Sequence, residues 1–223
     1  MTKWTAINPG GGGLIPFFLT DFNGNAWFSG DTTGQGRQLY KLGFDGSVTQ
    51  WTANINDLNP SALGNGSFTD FNDALWFNGA APGQGAQLYK LGFDGSVTKW
   101  TALNTGGAGL NPTNLFEFDN ALWFNGNTGA GGQQLFKLGA DGSVTQWTAM
   151  PGGFNPALVS QPVFDPDSTP SSIFENAAWL RGTNAANGGT ELYKLGADGS
   201  VTFWKDINPG PGSSFPADWA RLA

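Results

Sequence analysis

The sequence predicts an all-β fold, a β-propeller of four-stranded antiparallel blades, on three observations. One signature is written four times: LYKLGFDGSVTQW at 39–51, LYKLGFDGSVTKW at 88–100, LFKLGADGSVTQW at 135–147 and LYKLGADGSVTFW at 192–204. Two tryptophan series keep the same beat, at 27, 76, 123 and 179 and at 4, 51, 100, 147 and 204, and intervals near 48 residues are those of propellers or solenoid arrays. Glycine is 35 of 223 residues, more than twice its usual share of about 7%, beside ten Trp and 18 Phe. Glycine turns joining short aromatic strands give such a composition; helices do not, because Gly and Pro break them.

One unit runs from Pro16 to Ala53. PFFLTDF (16–22) reads as a first strand, followed by an Asn-Gly turn, whose residues tolerate positive φ. AWFSG (26–30) is a second strand, DTTGQG a glycine loop and RQLYKLG (37–43) a third strand. FDGS is a tight turn and VTQWTA a fourth strand, with NINDLNP leading on to the next unit. No segment carries a helical period. Trp27 and Phe28 are adjacent and therefore point to opposite faces of their strand, as do Trp76–Phe77, Trp123–Phe124 and Trp179–Leu180. A strand apolar on both faces asks for cover on both, and the more polar fourth strand belongs at a wet rim.

The units fall at about 13–53, 62–103, 110–149 and 157–206, within one domain over 1–223. The fourth carries surplus residues between Phe164 and Ile173, which its prolines and small polar residues mark as a surface loop. A fourth-type strand at 2–7 precedes the units and a first-type strand at 214–222 follows them, with Trp4 matching Trp204 and Pro16 matching Pro216. Four blades are the expectation; a five-position ring with a partial blade and a strand-sharing oligomer are the alternatives.

Composition narrows the function. The formal charge is −7, from 17 acidic and 10 basic residues, and no basic run exists to track a phosphate backbone, so nucleic acid and anionic membranes are not expected partners. Histidine is absent, which removes the commonest general acid–base and every imidazole metal ligand. Cysteine is absent, so no disulfide supports the fold. No apolar run approaches a membrane span, and MTKWTAINPG lacks the basic-then-apolar pattern of a signal peptide.

QLYKLGFDGS at 38–47 and KDINPG at 205–210 resemble the bacterial ELWxxDGT, or hyalin-like, repeat. The resemblance recurs once per unit but has Tyr40, Tyr89, Phe136 and Tyr193 where that pattern has Trp, and its turn differs in length. It implies a propeller of a large secreted or surface protein with no defined chemistry. DFNGNAWF…LYKLGFDGSVTQW is also similar to the repeat of virginiamycin B lyase-type propellers. That activity depends on a histidine with Mg²⁺ nearby, so the resemblance extends to fold and not to reaction.

The candidate ligand-binding residues are Trp51, Trp100 and Trp147 on the polar fourth strands, with Gln35, Gln84 and Gln133 in the second-to-third loops. An exposed indole beside amides suits a pyranose ring; the alternative is that each Trp covers the adjoining blade. The strand-two pairs are expected in the core instead. Asp21, Asp70 and Asp119, in the first-hairpin clusters, are the candidate metal ligands, with calcium the possible ion; Asx-turn chemistry is the competing reading. Asp45, Asp94, Asp141 and Asp198 read as turn acids, because one carboxylate per turn cannot supply a calcium shell. The one large break in the repeat holds Asp165 and Asp167, which matter only to an enzymatic reading. The sequence therefore points to a non-catalytic, multivalent recognition module for carbohydrate, needing no cofactor, monomeric or strand-sharing; its compartment is left open, the repeat resemblance alone implying the cell surface or the outside. The alternatives are a structural or protein-interaction propeller of a larger surface protein and, third, a propeller lyase or glycoside hydrolase.

Overall fold

The structure is a computed structural model and describes residues 13–52, 58–60, 68–81, 83, 85–101, 109–149, 154, 156–158, 173–174, 176–184 and 189–205. The strands predicted at 2–7 and 214–222, the insertion between Phe164 and Ile173, Gln84, Asp165 and Asp167 lie outside the described residues. So does the matter of how the repeat closes.

The fold class is the predicted one: all-β, built of the four-stranded antiparallel blades of a β-propeller. The chain divides into two compact units, residues 1–113 and 114–223. In the first, β1 (Phe17–Phe22), β2 (Asn25–Thr32), β3 (Gly36–Leu42) and β4 (Val48–Gln50) form one meander. β5 (Thr69–Phe71), β6 (Ala74–Ala81), β7 (Gly85–Gly92) and β8 (Val97–Lys99) form the next. In the second unit, β9 (Thr113–Phe118), β10 (Ala121–Asn127), β11 (Gln133–Leu138) and β12 (Val144–Gln146) make the third blade. The fourth contains β15 (Ala177–Asn184), β16 (Gly189–Gly196) and β17 (Val201–Lys205). Its first-strand position is divided between β13 (Ala157–Leu158) and β14 (Ile173–Phe174). Both pair antiparallel with β15, at Leu158↔Leu180 and Ile173↔Ala178, with residues 159–172 between them.

Within each unit the second strands are buried on both faces. Trp27, Phe28, Trp76 and Phe77 in the first unit, and Trp123, Phe124, Trp179 and Leu180 in the second, are all at most 5% exposed. Trp27 and Leu39 pack on Phe68, Phe77, Tyr89 and Leu91 of the second blade. Trp123 and Leu135 pack likewise on Leu180, Tyr193 and Leu195 of the fourth. The Trp-bearing side of one blade thus meets the Phe/Tyr-bearing side of the next, and each buried aromatic stabilises by roughly 2–3 kcal/mol. The fourth strands are short and wet, as their composition demands.

A recurring connector precedes each blade: Leu58-Asn59-Pro60 and its counterparts at Leu14, Leu110 and Phe154. Leu58 O accepts from Ala80 N at 2.6 Å on its own blade, while Asn59 N donates to Arg37 O at 3.0 Å on the blade before. Ser29 Oγ adds a 2.9 Å bond to Pro60 O, and Asn78 Nδ2 repeats it to Pro112 O. In the second unit Phe154 alone makes both bonds, its N donating to Gln133 O at 2.6 Å and its O accepting from Thr183 N at 2.7 Å. Gly79 lies under this connector, where an added Cβ would crowd Leu58 and Tyr89, so the small residue sets how closely the chain can lie on the sheet. The middle connector residue is left-handed, with φ 45° at Asn59 and 46° at Asn111, but at the first blade the residue is the β-branched Ile15, with φ 44°.

A buried polar clamp closes three of the blades. Thr52 Oγ1 accepts from Leu39 N at 2.9 Å and donates to Gln38 Oε1 at 2.7 Å, and Gln38 Nε2 donates to Gln35 O. Thr101 with Gln87, and Thr148 with Gln134, repeat it. In the fourth blade the Gln position holds Glu191, also buried.

Two outcomes follow. Ile15→Asn relieves a β-branched residue from the left-handed region at an exposed site and raises stability by about 1 kcal/mol, read as a higher midpoint in thermal unfolding. Thr101→Val keeps shape but strands Leu88 N–H and Gln87 Oε1, and lowers stability by roughly 1–3 kcal/mol in urea titration.

Candidate functional site

The candidate tryptophans follow the fourth strands at a break in the ladder. Trp51 N still donates to Leu39 O at 2.8 Å, but the next rung is supplied by the Thr52 side chain. In the fourth blade, where β17 continues through this point, the register skips at Trp204. Such a bulge re-aims a side chain, here turning the indole onto the Trp-bearing side of its sheet. Trp51 meets Trp27 edge to face at 5.2 Å and 88°, and Trp76–Trp100, Trp123–Trp147 and Trp179–Trp204 repeat the geometry at 5.0–5.5 Å and 88–89°. A third-strand lysine completes each corner: Lys41 lies 5.4 Å from Trp51, Lys90 4.3 Å from Trp100, Lys137 5.1 Å from Trp147 and Lys194 5.6 Å from Trp204. Each contact adds roughly 0.5–1 kcal/mol of cation–π attraction.

Two of these indoles also reach the next blade in their own unit. Trp51 Nε1 donates to Gly95 O at 2.7 Å and Trp147 Nε1 to Gly199 O at 2.6 Å. They remain 37% and 38% exposed, so each is both a bracket to the adjoining blade and a partly open ring. Their inner partners are fixed separately: Trp27, Trp76 and Trp123 each donate from Nε1 to the last carbonyl of the first strand at 3.0 Å.

The amides are engaged too. Gln35 Oε1 accepts from Gln50 Nε2 at 2.5 Å, and Gln133 Oε1 from Asn125 Nδ2 at 3.1 Å. They are not equivalent positions. Gln133 pairs with Asn127 as Arg37 pairs with Asp31, two residues beyond the place Gln35 holds in its loop. The expected ring of like amides is thus offset between the blades where it can be followed.

The acids of the first hairpins divide by register as well. Asp21 and Asp70 lie at the ends of β1 and β5, whereas Asp119 is a turn residue with φ 49°; the position matching Asp21 is held by Glu117. The two-residue turns Asn72-Asp73 and Asp119-Asn120 place both residues at positive φ, as Asn23-Gly24 does, the conformation hairpin twist requires. Burial, and then the neighbouring Asp73, raise the Asp70 pKa above the ordinary value. Among the described residues no three carboxylates gather where one ion could be held.

The hydrogen bonds of the LGxDGS turn account for its two glycines, its Asp and its Ser. Gly46 N donates to Gly43 O and Gly43 N to Ser47 O, leaving a three-residue loop that ends in Gly46 at φ 79°. Asp94 Oδ1 accepts from both Ser96 N (2.9 Å) and Ser96 Oγ (2.7 Å). A Cβ on Gly92 would stand 2.8 Å from that carboxylate, so glycine leaves its seat open. The serine hydroxyl, then its amide, hold the pKa of Asp45, Asp94, Asp141 and Asp198 below the ordinary 3.8.

No family model matches the chain, and no curated protein matches it. Among solved structures it is similar to a GH43 glycoside hydrolase engineered at its active site to display endo-xylanase and exo-arabinofuranosidase activity. That likeness has a TM-score of 0.34 and 14% identity over 87% of this chain and 39% of that one. It is also similar to the S511A mutant of a puromycin hydrolase complexed with PGG, with a TM-score of 0.37 and 13% identity over 93% of this chain and 43% of that one. The chain spans about two-fifths of the length of each, and no residue role passes from either.

The turn chemistry sets a pH dependence. A depressed carboxylate pKa stabilises the folded turn above the unfolded value and loses that contribution as pH falls through the folded one. Carbon-detected NMR is expected to show Asp94 titrating below the ordinary 3.8, and Ser96→Ala to move its midpoint back up toward that value. An unchanged midpoint would remove the serine from the account.

Proposed function

We propose that this chain is a non-catalytic, multivalent recognition module whose ligand is carbohydrate. One observation carries the reading: Trp51 and Trp147, at the same place in two different blades, are partly open yet pinned by an indole N–H bond, an edge-on Trp and a lysine. A sugar ring loses little more than its own freedom on such a platform, because the aromatic side is already ordered. Neighbouring amides and turn hydroxyls supply hydrogen bonding without a buried charge. Single sites of this kind are weak, roughly millimolar, and repetition on one chain raises avidity. A second reading, a structural or protein-interaction module of a larger surface protein, is favoured by a different observation: Phe44, at the tip of the first blade's turn, is 93% exposed.

A glycan array with and without calcium separates the two. The carbohydrate reading expects bound glycans, with Trp51→Ala and Trp147→Ala each weakening capture and the double variant lowering it by roughly tenfold or more. Absence of any glycan signal from the folded protein under both conditions defeats it and leaves the interaction reading.

A further inference from the structure

Each partly open indole stands beside an acid that the adjoining blade of its own unit supplies. Trp51 seats the Nε1–Cζ2 edge of its ring on the second blade's turn: Nε1 donates to Gly95 O, and a Cβ on Gly95 would stand 2.7 Å from Cζ2. Trp147 does the same on the fourth blade's turn, where a Cβ on Gly199 would stand 2.5 Å from its Cζ2. Glycine permits that approach, and the residue before each glycine is an exposed aspartate, Asp94 or Asp198.

These carboxylates have acceptor capacity to spare. Asp94 Oδ1 takes both serine bonds of its turn, and Asp198 Oδ1 likewise accepts from Ser200 N at 2.9 Å and Ser200 Oγ at 2.6 Å. A carboxylate offers about four acceptor positions, so those of Oδ2 remain for a ligand. The serine hydroxyl gives its proton to the acid and presents its own oxygen outward. The serine bonds also keep the acid ionised, so it has no proton to donate. What borders each indole is therefore a rim of acceptors. The platform lysines are placed elsewhere: Lys41 lies in the corner between Trp27 and Trp51, 5.9 and 5.4 Å from their rings, and acts on Asp45 of its own blade. Lys137 holds the matching corner between Trp123 and Trp147. Lys90 and Lys194 are the weakest of the influences on Asp94 and Asp198, and each lies over the outer Trp of its own blade.

We infer that Trp51 with Asp94, and Trp147 with Asp198, each form one sugar subsite, and that the ligand is a neutral pyranose carrying vicinal hydroxyls. The apolar face of the sugar lies on the indole, and two adjacent O–H groups donate to the carboxylate, a charge-assisted pair stronger than neutral hydrogen bonds. Uronic and sulfated sugars bring a like charge to the acid and are disfavoured. The inference rests on the carbohydrate reading and gives it a chemical class and two further binding residues.

Two-dimensional NMR of the full chain tests it through the indole N–H signals of Trp51 and Trp147. The probes are the methyl pyranosides of glucose, galactose and mannose, each compared with its uronate at low salt. At least one neutral glycoside is expected to shift both signals, and its uronate to bind more weakly, by a margin that narrows as salt is added. Asp94→Asn keeps an Oδ1 for Ser96 but replaces Oδ2 with an amide donor. It is expected to weaken binding at Trp51 by roughly tenfold and to leave Trp147 unchanged, while Asp198→Asn does the reverse, so the untouched unit serves as the control. Undiminished binding at Trp51 in Asp94→Asn, or a uronate bound as tightly as its glycoside, overturns the inference and leaves the carbohydrate reading standing. Failure of every neutral glycoside to move either signal overturns it too, and a blank glycan array then takes the carbohydrate reading with it.

Discussion

Two-sided burial of the second strand governs everything else in these blades. Trp27 and Phe28 cannot both be buried by one layer, because neighbouring side chains leave a strand in opposite directions. Each sheet therefore needs cover on two faces, and within each compact unit the two sheets supply one such face to each other. Once the sheets are stacked, the polar backbone between them must be satisfied, and the Leu-Asn-Pro connector does this by bonding forward to one blade and backward to the other. The outer Trp, turned by a bulge at the end of the fourth strand, seals the same junction near its wet edge.

This economy leaves few side chains idle. The Gln–Thr clamps, the Asp–Ser turns and the lysines over indole rings all have structural work within a blade. What such a frame holds still at its surface are the partly open indoles of Trp51 and Trp147, at the same place in two blades. Rigidity here is a by-product of stability, and an ordered ring is the kind of surface on which the proposed ligand would lose little beyond its own freedom.

Much of this was legible in the sequence because it is periodic. The four strands per repeat, the buried Trp–Phe pairs and the wet fourth strand followed from alternation and spacing, and Trp51 was readable as both a platform and a cover. What escaped has physical causes. Gln35 and Gln133 look alike by letter, but they stand at different distances from their second-strand tryptophans, Trp27 and Trp123, and the ladder register confirms that they occupy different places. Asp119 resembles Asp21 only as an acid of the corresponding hairpin: it lies two residues nearer its tryptophan, in a turn where φ is positive. The connector was visible as LIP, LNP, LNP and FNP, yet its role depends on bonds to two different sheets, which no local pattern states. The split first strand of the fourth blade was hidden because an insertion and a broken strand read identically in sequence.

The most direct measurement of the central claim is hydrogen exchange at the indole N–H groups, resolved by two-dimensional NMR. If the second-strand indoles are sealed between sheets, Trp27, Trp76 and Trp123 exchange only when their unit opens, and so do the backbone amides of β2, β6 and β10. Trp204, more than half exposed, exchanges far faster. Rapid exchange of all four indoles at one common rate would contradict the account.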